Sequence, residues 1–196
     1  MSDTRQHIIE IATRLVQERG YNAFSYNDIA DELGIKKASI HYHFPTKAGL
    51  VKTIMSAYRE QHRQALANID RQTSSPLQKL RKFAGLFSKT LGEDYIMCPS
   101  GMLASDAGAL PEEVLREVHA FFTDSETWLG KVLNDGRKQG RFHINGSVAD
   151  YSRTLFAAFE GALLAARAFN DRNRLNTASR NLINSLLIKN RTGALA

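Results

Sequence analysis

A single cysteine, Cys98, stands in 196 residues. It excludes an internal disulfide framework and fits a reducing compartment, so a cytoplasmic location is expected. No apolar run approaches the ~18 residues of a membrane span, and from the polar start Met-Ser-Asp-Thr-Arg-Gln no signal peptide is expected. There are only four prolines, and the long periodic segments lack β-branched runs, which favours an all-α chain. The sequence also lacks a Gly-rich phosphate loop, a Cys/His metal spacing and a nucleophile–base set. Of its six histidines, His7, His62, His119 and His143 are scattered. Neither an enzyme nor a bound metal or cofactor is expected.

An excess of charge is present, but not where the overall count suggests. The net charge is +6, which suits an anionic partner. Residues 1–60 nevertheless hold eight basic side chains against seven acids. The local arrangement is more telling. From Gly34 to Arg59 the chain carries Lys36, Lys37, Lys47, Lys52 and Arg59 and no acid, while Asp28, Asp31 and Glu32 lie just before.

That basic stretch coincides with a helix–turn–helix pattern. A first helix over 3–19 places Ile8, Ile11, Ala12, Leu15 and Val16 on one stripe and stops at Gly20. Ser25 caps a second helix, with Asp28 at the capping-box position, and this helix ends at Leu33. Gly34 supplies a left-handed turn. A third helix runs from about Lys37 to His43, ended by Phe44-Pro45. Ile29, Ala30, Leu33, Ile35, Ile40 and Phe44 pack the pair, which leaves lysines, a serine and two histidines outside. Such a pair sets its second helix into a DNA major groove. Taken alone, Lys36, Lys37 and Lys47 are also consistent with a merely solvated face.

Six further helices complete an expected total of about nine. They start at Lys47, at Pro76 after Thr73-Ser74-Ser75, near Cys98-Pro99, at Pro111-Glu112, at Val148 and at about Asn176. The eighth, extending to about Asn170, is apolar nearly all round and must be covered on both sides. The ninth is expected to reach Lys189, with a frayed tail over 191–196.

Residues 8–54 resemble the DNA-binding domain of the TetR family of bacterial transcriptional regulators. The matching residues are Ala12 and Leu15, Gly20-Tyr21, Phe24-Ser25, Asp28-Ile29-Ala30, Leu33-Gly34-Ile35, Ile40-His41-Tyr42-His43-Phe44, and Lys47 with Leu50. The Tyr-His-Phe-x-x-Lys run makes the match specific. The resemblance implies a three-helix DNA-binding bundle over 1–47 and a larger helical effector-binding and dimerisation domain over 48–196. It further implies a homodimer that represses from a palindromic double-stranded operator and is released by a small-molecule effector. The expected DNA contacts are Lys36, Lys37, Ser39 and His41 at bases or backbone. Tyr42, His43 and Lys47 would bind phosphate, and Ser25 and Tyr26 would lie where the second helix crosses the backbone. Lys47 would act together with free N–H groups at its helix start.

In the second half, Ala158, Gly161, Ala162, Ala165 and Ala166 would let another helix approach the eighth, and Leu182, Ile183 and Leu186 form a stripe on the ninth. This is the expected pairing surface, although the same residues would also serve as internal core. Phe83, Phe87, Met97, Cys98, Met102, Phe121, Phe122, Trp128, Phe159 and Glu160 form the candidate effector pocket, any one of which could equally be core. Glu160 is the sole charge between Leu155 and Ala166, and Arg153, Arg167, a ligand or a polar interface edge would answer it. Cys98 has two readings, an inert buried thiol or a reactive one at a helix start.

Overall fold

A computed structural model describes residues 2–188, with side-chain surroundings from residue 4. Among the described residues the architecture is helical: α1 (Ser2–Arg19), α2 (Tyr26–Leu33), α3 (Lys37–His43), α4 (Lys47–Gln72), α5 (Pro76–Leu91), α6 (Pro99–Ser105), α7 (Glu112–Lys138), α8 (Val148–Ala168) and α9 (Arg172–Leu186). A 3₁₀ turn, Ala107–Ala109, follows α6. The tail expected over 191–196 lies outside the described residues.

By compactness the chain divides into two units, neither of which is cut at residue 47. The first comprises Met1–His62 with Met97–Phe122, the second Arg63–Ile96 with Thr123–Ala196. The first unit recruits α6 and the start of α7 because three helices of this length bury too little surface by themselves. Its core joins Ile8, Ala12, Leu15 and Val16 of α1 to Ile29, Ile40 and Leu50, and adds Leu103, Val114 and Val118 from the later segment.

Two joints of this unit follow directly from sequence. Ser25 caps α2 in a complete capping box: its Oγ accepts from Asn27 N–H, and its own N–H donates to the Asp28 carboxylate at 2.7 Å. The Ser25 hydroxyl also donates to the Asp28 carboxylate at 2.7 Å, and this bond, with that from the Ser25 N–H, holds the Asp28 carboxyl below the usual range, Arg19 at 3.6 Å assisting. Gly34 closes α2 at φ 64°, ψ 31°, the left-handed cap that Gly adopts without a Cβ penalty.

In the second unit α8 and α9 pack along each other, and α5 packs on both. Phe83 is fully buried and lies within ring contact of Phe87, Trp128, Phe156 and Phe159. The helix α9 begins at Arg172, four residues before the expected Asn176, because the Asp171 side chain accepts from Asn173 N–H and caps it.

Candidate nucleic-acid interface

The site is the outer face of α3 and the ends of its neighbours, all within the first unit. The helix α3 is anchored by one buried residue of its own, Ile40, and by Phe44 at its C-cap. Everything else on it is turned outward to some degree. Lys36, Lys37, Ser39 and His41 are exposed, Tyr42 is 75% exposed, and His43 is half-buried. The Tyr42 and His43 rings meet edge to face at 5.2 Å, which orients the phenol at the far end of the helix. The His41 ring leans on Tyr26 at 4.8 Å, and its Nδ1 lies 3.4 Å from the Pro45 carbonyl. Ser25 is exposed at the start of α2.

Electrostatics separate the two helices of the motif. Two of the three acids of α2 are drawn back by α1, while Asp31 is exposed: Glu32 pairs with Arg14, which also holds Glu18 at 3.1 Å, and Asp28 faces Arg19. The α3 face carries Lys36 and Lys37 with no acid on that helix. A cationic, hydrogen-bonding helix with an exposed phenol at its end is equipped for base edges and phosphates, not for bond-making chemistry.

One expected contact is corrected by the structure, and a second has a side chain seated against the protein's own aromatic rings. Tyr26 is core. It is 5% exposed, its hydroxyl donates to the Phe44 carbonyl at 2.8 Å, and burial pushes its phenol up to about 12. The cause was readable, since Tyr26, Ile29, Ala30 and Leu33 follow the i, i+3, i+4, i+7 stripe that faces the interior. The Lys47 side chain is likewise turned inward. Its ammonium sits over the Phe24 ring at 4.2 Å and the Tyr21 ring at 4.7 Å and donates to the Phe24 carbonyl. Arg5 had been overlooked: its guanidinium lies 4.8 Å above Phe44, beside the end of α3.

The ten candidate effector residues divide between the units. Met97, Cys98 and Phe121 are buried in the first, with Met102 and Phe122 half-buried. There the Tyr58 ring meets Phe121 at a tilt, 5.4 Å between centroids, and donates its hydroxyl to the Cys98 sulfur at 3.6 Å. Phe83, Phe87, Trp128, Phe159 and Glu160 lie in the second, where the four rings pack on one another. Phe156 belongs to that cluster and was missed. Both Glu160 carboxylate oxygens are enclosed, while Arg153 is engaged by Asp150 and Glu126. Among the described residues there is no cluster of three His, Cys, Asp or Glu side chains able to hold a metal. No described helix is long and apolar enough to cross a membrane.

Comparison with known proteins agrees with this geometry. Residues 8–54 match the family described as bacterial regulatory proteins, tetR family. The HTH-type transcriptional regulator LmrA of Bacillus subtilis is 34% identical over 167 residues, covering 83% of this chain and 85% of that protein. The HTH-type transcriptional repressor DhaR of a Mycobacterium species is 22% identical over 88% of this chain and 86% of that one. A transcriptional regulator of the TetR family from Agrobacterium tumefaciens superposes with a TM-score of 0.91 at 34% identity, covering 95% of this chain and 99% of that chain. The helix–turn–helix, its acid-free outer face and these full-length likenesses make the chain a transcriptional regulator and not an enzyme, and it belongs to the TetR family of DNA-binding regulators.

Proposed function

We propose that the protein is a repressor that binds a palindromic operator as a homodimer and leaves it when a small-molecule effector binds within residues 48–196. The division of labour at residue 47 is part of this reading: the segment before it reads DNA, and the rest pairs and senses. The observation that carries the proposal is the α3 face, where Lys36, Lys37, Ser39, His41 and Tyr42 are exposed while Asp28 and Glu32 of α2 are paired with α1. Lys37 and Ser39 would address base edges. Tyr42, His43 and the exposed cap Ser25 would position the helix on phosphates.

Pairing is supported by one side of α8. Ala157, Gly161 and Leu164 are exposed and Ala158 and Ala165 half-buried, with half-buried Leu182 nearby on α9, whereas Ala162, Ala166, Ile183 and Leu186 are used internally. A Cβ at Gly161 would meet nothing within 4 Å in the protomer, which leaves room for a second helix. Two heads related by a two-fold axis require an inverted-repeat site. The repressor sense is supported by DhaR, which carries that name. Its DNA target places the protein in the cytoplasm.

Genomic footprinting of the purified protein, followed by anisotropy titrations on the recovered site, tests the reading. Tyr42→Ala is expected to weaken binding to all sequences. Lys37→Ala is expected also to flatten preference among operator variants, by about 1–3 kcal/mol at the position it reads. If neither variant changes operator affinity, α3 is not the reading helix.

A further inference from the structure

Arg5, on the first turn of α1, lies outside the helix–turn–helix and outside the matched residues 8–54, yet it stands beside the end of α3. Its guanidinium carbon is 4.8 Å from the centroid of the Phe44 ring, and Phe44 is the C-cap of α3, directly after Tyr42 and His43. That seat is fixed. Phe44 is 5% exposed, its N–H donates to the Ile40 carbonyl at 2.8 Å, and its own carbonyl accepts from the Tyr26 hydroxyl at 2.8 Å. Over this ring Arg5 is exposed. No carboxylate among the described residues pairs with it, whereas Arg14 and Arg19 further along α1 hold the acids Glu18, Glu32 and Asp28. A cation in the first turn also opposes the helix dipole, so the stability of α1 does not account for a charge at this place.

We propose that Arg5 is a further DNA contact of the head, taking a backbone phosphate next to those met by Tyr42 and His43. The inference rests on α3 being the reading helix. A guanidinium is planar: it stacks by its face and donates through five N–H groups at its edge, so lying on Phe44 leaves its hydrogen-bonding rim free. The ring holds that rim in place before DNA arrives, and less side-chain freedom is lost on binding. At this end α3 itself offers a neutral phenol and an imidazole, and Arg5 adds a full charge. The phosphate grip is thus assembled from two separate parts of the chain, α1 and α3, joined through one ring.

The salt dependence of operator binding separates a phosphate contact from a mere cover for Phe44. Each phosphate neutralised contributes about 0.9 to the slope of log affinity against log salt. Arg5→Gln keeps a planar head on the ring and removes the charge. It is expected to bind roughly tenfold more weakly at low salt, with a slope smaller by about 0.9 for each head engaged, so that its deficit narrows as salt is raised. Arg5→Lys keeps the charge and is expected to hold the parental slope while recovering only part of the affinity, because an ammonium lacks the planar fork. Tyr42→Ala, measured alongside, is expected to weaken binding with the slope unchanged, since a phenol carries no charge. An Arg5→Gln protein that loses affinity at the parental slope overturns the proposal, because Arg5 would then act only by steadying Phe44. A loss that differs among operator variants overturns it as well, since phosphates carry no sequence. So does an Arg5→Gln protein that binds as the parent does; if Tyr42→Ala is weakened in the same series, α3 remains the reading helix without Arg5. If Tyr42→Ala and Lys37→Ala are both silent, the reading of α3 fails and the Arg5 contact falls with it.

Discussion

Gly136 on α7 offers a test in which the sign of a mutation depends on a single neighbour. A Cβ built on Gly136 would lie 2.0, 2.3 and 2.7 Å from Cδ2, Cε2 and Cγ of Phe142. Carbon atoms in favourable contact sit about 3.5–4.0 Å apart, so the ring would have to retreat by about 1.5 Å. It has nowhere to go. Phe142 is 2% exposed, and its N–H and that of Arg141 both donate to the Gly136 carbonyl at 3.1 and 2.9 Å. The same strand-like segment bridges Leu187, with His143 N–H bonded to Leu186 O at 2.8 Å. The ring must therefore leave its site. Losing the burial of a phenylalanine costs about 3 kcal/mol, and replacing a helical glycine by alanine returns about 1 kcal/mol. Gly136→Ala is thus expected to destabilise by about 2 kcal/mol, whereas in a Phe142→Ala background the same change is expected to stabilise by about 1 kcal/mol. Trp128, the sole tryptophan, lies in the same unit, so urea unfolding followed by its fluorescence reads the correct region. An additive cycle, or a Gly136→Ala protein more stable than the parent, would refute the argument, because it would mean the Phe142 ring is not held against α7.

Three other outcomes follow from side chains with defined partners. The Asp70 carboxylate is desolvated, which alone would raise its pKa, but bonds from Lys79 and from Trp128 Nε1 at 2.9 Å lower it overall. Its contribution to stability is therefore complete above the ordinary value of 3.8 and fades as pH falls through the lowered folded value; Asp70→Asn is expected to flatten this acid limb in pH-dependent urea melts. Tyr26→Phe removes the donor to the Phe44 carbonyl and is expected to cost about 1 kcal/mol. It should also abolish the last step of phenolate absorbance near pH 12, because the raised pKa means that this residue's contribution is full below the ordinary 10.0 and is lost between there and about 12. Leu164→Glu, on the exposed side of α8, is expected to yield a folded protein whose light-scattering mass is that of a monomer, with operator affinity reduced more than tenfold; an unchanged mass would remove α8 from the pairing surface.

What was legible in the sequence was local. The Ser25–Asp28 box, the left-handed Gly34, the Lys37–His43 helix and the proline start of α5 each follow from a few adjacent residues, and each stands where expected. The start of α9 was misjudged because Arg172–Thr177 has a single apolar residue, Leu175, too few to show a period, while the informative residue, the Asp171 cap, precedes it. Tyr26 was misjudged for a different reason, and the seat of the Lys47 side chain went unforeseen for the same one. Both carry a polar tip on a long apolar body, and composition alone assigns such a residue to the surface. For Tyr26 the stripe it shares with Ile29, Ala30 and Leu33 was the signal that composition overlooks; for Lys47 only the neighbours, two aromatic faces and the Phe24 carbonyl, decide the seat.

The same reasoning explains why the reading helix was easier to locate than any sensing pocket. Periodicity states that a residue is buried; it does not state against what. Phe83 and Phe121 both sit on apolar stripes, yet Phe121 packs against Tyr58 in one unit and Phe83 stacks with Trp128 in the other. A DNA-reading surface announces itself differently, by residues that do not belong to the stripe. On α3 the stripe is reduced to Ile40, and nearly every other position is free to carry information. That freedom also means α3 contributes little to its own placement. Its position is set by Tyr26 gripping Phe44 from beneath and by the loop at Tyr21–Phe24 that fixes where α2 starts. Operator affinity is therefore expected to fall in Tyr26→Phe, although that hydroxyl is buried beneath the reading face.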